Sequence, residues 1–84
     1  VEKSDQFLKN SIKLFAAFRD LDPKDLGDKT LIEYHRKTHM LYAGNVKRKA
    51  PNKQFINSIV DYHDRLVKEM LKRGFNHNTP LKKI

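Results

Sequence analysis

An apolar stripe runs through the last third of the chain. Ile56, Ile59, Val60, His63, Leu66, Val67 and Met70 recur at three- and four-residue steps. That spacing puts them on one face of an α-helix. A helix with one greasy face is stable only when another element covers it. Asn52 can cap this helix at its start. Gly74 falls where a left-handed residue ends a helix, and Phe75 can then fold back in a Schellman motif.

Two further segments supply the cover. Phe7, Leu8, Ile12, Phe15, Phe18 and Leu21 repeat the pattern between a Ser4 cap and Asp22-Pro23, where the proline pushes its predecessor out of the helical region. Thr30-Leu31-Ile32-Glu33 fits a capping box, with Asp28 as a rival cap. Leu31, Tyr34, His35, Thr38, Leu41 and Tyr42 mark one side of the helix that follows, and Gly44-Asn45 is expected to end it. No alternating run of β-branched residues suggests a strand. The expectation is an all-α chain: a compact three-helix bundle with a short C-terminal tail, one domain over 1–84, helices about 4–21, 29–43 and 53–73.

A chain of 84 residues buries only about 60–65% of its unfolded surface, so its core is thin. It has no cysteine, which excludes disulfides and Cys-based zinc sites and suits an intracellular protein. Eighteen Lys and Arg against ten Asp and Glu give a net charge of +8. A charge of that size on so small a domain calls for an anionic partner, nucleic acid first. A cytoplasmic, nucleoid-associated protein is the expectation. No stretch approaches the roughly 18 apolar residues of a membrane span.

Catalytic motifs are scarce. Gly-x-Ser-x-Gly and phosphate-binding Gly-rich loops are missing. His35 and His39 stand four apart, the spacing of many zinc helices. Arg36-Lys37-Thr38 lies between them, so the glutamate of a metalloprotease is lacking and two cations repel a dication. His63 and His77 complete a site only if the fold brings them close. No metal and no cofactor are expected.

The basic residues fall in three places: Arg36 and Lys37; Lys47, Arg48, Lys49 and Lys53; and Lys68 to Arg73, with Lys72 among them and Lys82 and Lys83 beyond. Arg36, Lys37, His39, Lys47, Arg48, Lys49, Lys53, Lys72 and Arg73 are the candidate DNA contacts. Duplex DNA held through its phosphates is the expected partner, and about four to six contacts give a log–log salt slope near −4 to −5. The long charged loop before the third helix is no helix-turn-helix.

Two blocks carry a family resemblance. One is Glu69-Met70, Lys72-Arg73-Gly74-Phe75-Asn76-His77 and Pro80-Leu81; the other is Leu31 to Tyr42, reading LIEYHRKTHMLY. Both resemble the pyrimidine-dimer DNA glycosylases related to the bacteriophage endonuclease V. The resemblance implies an all-helical fold that binds duplex DNA. It also implies a free N-terminal amine that forms an imine with deoxyribose, assisted by a glutamate on the second helix. Here that glutamate's position falls on Lys37, or on Arg36 if the register slides by one. A cation cannot stabilise the positive charge that develops on the sugar. The segment from Ser4 to Leu21 also separates Val1 from the helix concerned.

The first reading is therefore a non-catalytic DNA-binding accessory protein, such as a small subunit of a replication or repair assembly riding on a polymerase. Phe7, Phe15 and Phe18 would dock on the larger protein partner. The second is an active glycosylase/lyase using Val1 or Lys37 to form the imine. The third is an RNA- or ribosome-associated basic protein.

Overall fold

Among the residues that the computed structural model describes, 3–77 and 80–84 with side chains from Gln6 onward, three helices form and no strand. They are α1 (Lys3–Ala16), α2 (Asp28–Val46) and α3 (Lys53–Lys72), with one turn of 3-10 helix at Pro23–Asp25. The all-α expectation holds. Val1 and the side chain of Ser4 lie outside the described set.

The boundaries move for physical reasons. α1 stops five residues short of Leu21, and Phe18 N–H closes a tight turn on the Phe15 carbonyl at 3.2 Å. Leaving the helix there turns the Phe18 ring inward, where it stacks on Tyr34 with centroids 4.7 Å apart. The Tyr62 hydroxyl donates to the Leu21 carbonyl at 2.9 Å and fixes the segment that follows. Tertiary packing outweighs local helix propensity here.

Gly27, with no side-chain cap bond, precedes α2, so Thr30 lies inside the first turn and the capping box does not form. Asp28 opens the helix, where a carboxylate favours the positive end of the dipole. α2 also runs through Gly44-Asn45 to Val46. Gly44 admits the Phe7 ring: a Cβ there would meet Phe7 Cζ at 2.7 Å. Asn45 is fully buried and donates to the Leu41 carbonyl at 2.8 Å.

α3 follows its expectation. Asn52 Oδ1 accepts from Phe55 N–H at 2.9 Å. At the other end Gly74 takes φ +89°, Phe75 N–H reaches the Met70 carbonyl at 2.9 Å, and Gly74 N–H reaches Leu71 at 3.1 Å. That pair of bonds is the Schellman motif, and it needs a residue at ease in the left-handed region.

The core lies between α2 and α3, with α1 closing one side. Leu31, Thr38 and Asn45, seven apart on α2, are buried, as are Ile56, Ile59, Val60 and Leu66 on α3, and Leu31, Ile59 and Leu66 share one core cluster. Each fully buried apolar side chain contributes about 1.5–3 kcal/mol. Phe15 meets Phe18, Phe55 and Tyr62 edge-on at 5.6, 5.8 and 5.9 Å. This corrects the expected docking face. Phe15 and Phe18 are 2% and 3% exposed and belong to the interior, while Phe7, at 43%, still reaches solvent.

Candidate functional site

Beyond Gly74, the described residues 75–77 and 80–84 lie along the bundle. The Tyr42 hydroxyl donates to the Lys82 carbonyl at 2.8 Å, and the Asn57 side chain makes two bonds to the backbone of Ile84, at 3.0 and 3.2 Å. Lys83 pairs with Asp61 at 2.7 Å. His77 lies at the seam of α2 and α3, where His35 and His39 arrive from one helix and His63 from the other.

The four imidazoles meet. One ring nitrogen from each lies within 4.8 Å of every other. His39 Nε2 stands 3.1 Å from both His35 Nε2 and His63 Nε2, and His63 Nε2 stands 3.2 Å from His77 Nε2. His63 is buried and the other three are half-buried. On its far side, His63 Nδ1 is 3.2 Å from the Asp64 carboxylate. The condition that the sequence left open, whether His63 and His77 come close to the first pair, is met. His39 therefore faces the cluster rather than the basic surface expected of it.

Burial lowers His35 from 6.5 to about 4, and its three histidine neighbours add to the effect. Burial also lowers His39 and His63, with the Asp64 hydrogen bond opposing the shift at His63. As pH falls, the unfolded chain takes up these protons before the folded one does. Stability present above pH 6.5 is thus lost progressively below it, for His35 until the pH has fallen through about 4. In protein stripped of metal by a chelator, the urea midpoint is expected to fall between about pH 6.5 and 5, where ordinary carboxylates near 3.9–4.3 remain ionised. A flat midpoint across that window would contradict a neutral cluster.

The basic residues divide. Lys24, Arg65, Lys68 and Lys72 line one cleft of about 310 Å³ with Asp22, Pro23 and Glu69, between the 3-10 turn and the C-terminal half of α3. Lys24 and Arg65 were not among the sequence candidates; Lys72 was. Arg36, Lys37, Lys47, Lys49 and Lys53 are exposed, but none lines this cleft. The Lys37 ammonium lies over the Tyr34 ring at 5.6 Å. Half-buried Arg48 donates to the Ala50 carbonyl at 3.2 Å.

Arg73 does not serve as the DNA contact expected of it. Its guanidinium bonds Glu69 and Asp28 at 2.9 Å each and the carbonyls of Pro23 and Lys24 at 3.3 and 3.4 Å. A planar fork with four acceptors is a structural tie between α3, α2 and the turn, and it leaves little to offer a phosphate.

A family model described as pyrimidine dimer DNA glycosylase matches residues 17–83. The match begins one residue after α1 ends, so α1 lies wholly outside it. No curated protein and no solved structure matches the chain.

Proposed function

The chain belongs to the pyrimidine dimer DNA glycosylase family, and on that premise we propose that it binds duplex DNA through phosphates as a non-catalytic accessory protein. The family acts on DNA. The observation that carries the binding mode is the cleft lined by Lys24, Arg65, Lys68 and Lys72 on a domain of net charge +8. Four cations along one groove suit a run of phosphates.

The non-catalytic part rests on the residues at the family's glutamate, Lys37 or Arg36. Both are exposed cations. A role beside a larger protein in a replication or repair complex is supported by α1, which the family match leaves out. Its Phe7 and Leu14, seven residues apart and therefore on one side of the helix, remain 43% and 59% exposed, while Phe15 and Phe18 belong to the core. That side of α1 is the docking side of this proposal.

The test is anisotropy of a labelled duplex across a salt series, with borohydride added in parallel on abasic and intact oligonucleotides. Binding with a log–log salt slope near −4, equal on both duplexes and without a trapped adduct, is the expected result. Salt-insensitive or absent binding would refute the DNA reading. The family's enzymatic character favours one rival, an active glycosylase/lyase through Val1 or Lys37. A covalent adduct would establish that rival and end the accessory proposal. The lysine route also calls for burial that exposed Lys37 lacks. Structured RNA that outcompetes duplex DNA would favour the third reading.

A further inference from the structure

We propose that His35, His39, His63 and His77 form a closed zinc site, in which four neutral imidazoles bind one divalent zinc ion and lock the C-terminal tail to α2 and α3.

Hydrogen bonding alone does not account for the cluster. An imidazole Nε2 carries either one N–H or one lone pair, directed along a single axis. It can therefore take part in one good hydrogen bond. His39 Nε2 has two ring-nitrogen neighbours at 3.1 Å, and His63 Nε2 has two at 3.1 and 3.2 Å. Three such contacts among four nitrogens yield at most two hydrogen bonds. A cation at the centre accepts a lone pair from all four.

The spacing fits. Nitrogens about 2.0–2.1 Å from a tetrahedral zinc ion stand roughly 3.3–3.4 Å apart. The three close pairs, at 3.1–3.2 Å, are within a small adjustment of that value. The ring centroids also stand nearly equidistant, all six separations falling between 4.5 and 5.8 Å. A square arrangement would give four short separations and two long ones. Near-equality of the rings suits a tetrahedron better than the square of Cu²⁺, and the donor nitrogens, three pairs at 3.1–3.2 Å and all within 4.8 Å of one another, draw together around the ion.

Asp64 supplies the outer support. Zinc-bound histidines typically donate their other N–H to a carboxylate or carbonyl, which fixes the tautomer. His63 Nδ1 has the Asp64 carboxylate at 3.2 Å, and this leaves Nε2 as the bare nitrogen facing the centre. The repulsion expected from Arg36 and Lys37 is weakened because both side chains are exposed, where water and salt screen them. Four protein ligands fill the tetrahedron, so the site is structural rather than hydrolytic.

The full chain, prepared without a polyhistidine tag, is tested with zinc and cobalt. The expected result is one zinc per chain by elemental analysis. Replacement by Co²⁺ should give the intense visible bands of a tetrahedral complex. Zinc should raise the melting temperature and protect the segment after Gly74 from protease, and a chelator should reverse both. His39→Ala and His77→Ala, at half-buried positions, should each weaken zinc binding by about a hundredfold or more. Asp64→Asn should weaken it by about 10–100-fold with the cobalt spectrum still tetrahedral. Cobalt on the unaltered chain decides the matter even if a variant fails to fold. A weak, octahedral cobalt spectrum would overturn the assignment, as would a melting temperature indifferent to zinc and chelator.

Discussion

Phe15→Asp is expected to abolish the cooperative unfolding transition. The ring is 2% exposed and touches three other aromatics, so the substitution empties the middle of the core. Loss of a buried Phe side chain costs about 3–5 kcal/mol. A carboxylate left there without a partner adds a burial penalty of several kcal/mol more. Domains of ordinary stability hold about 5–15 kcal/mol, and one of 84 residues belongs toward the low end. Far-UV dichroism and a urea titration read the outcome directly. A variant that stays helical and unfolds in a single step would mean that Phe15 faces outward in solution. The docking role first expected of it would then return.

Reversing two charges in the cleft is expected to be the largest effect on binding that leaves the fold intact. Lys68→Glu with Lys72→Glu removes four units from a net charge of +8 and places carboxylates where phosphates would lie. Both side chains are exposed, so the core is untouched. The loss of favourable charge at the end of α3 costs about 0.3–1 kcal/mol in helix stability. Affinity for duplex DNA should fall on the order of tenfold per reversed lysine, and the salt slope should shrink by about two. Lys9→Glu with Lys13→Glu makes the same change in net charge on α1, away from the cleft. If both pairs weaken binding equally, the overall field of the protein holds the DNA and the cleft has no special part.

Much of the fold could be read from spacing. The α3 stripe, the Asn52 cap and the Gly74 stop depend on residues close in sequence, and each stands where the pattern put it. The ends of α1 and the passage of α2 through Gly44 could not be read, because they are decided across the bundle. Phe18 leaves its helix to meet Tyr34, and Gly44 is small because Phe7 lies against it. The site divides in the same way. The spacing of His35 and His39 was visible, but His63 looked like part of an apolar stripe and His77 like part of a tail. One signal was present: an imidazole in the middle of a greasy face needs a partner, and His63 is 1% exposed. The basic cleft depends on the 3-10 turn setting Lys24 beside α3, which no local pattern foretells.

Arg73 has a consequence for the groove that it does not enter. Among the described residues, two acidic side chains line that groove, Asp22 and Glu69. Glu69 is bonded to the Arg73 guanidinium at 2.9 Å, so its negative charge is spent inside the protein. The four groove cations then face an approaching phosphate with one of the two opposing charges already neutralised. Arg73 thereby sets the potential of the groove from behind, while its hold on Asp28 and on the Pro23 and Lys24 carbonyls keeps the groove's two walls at a fixed separation.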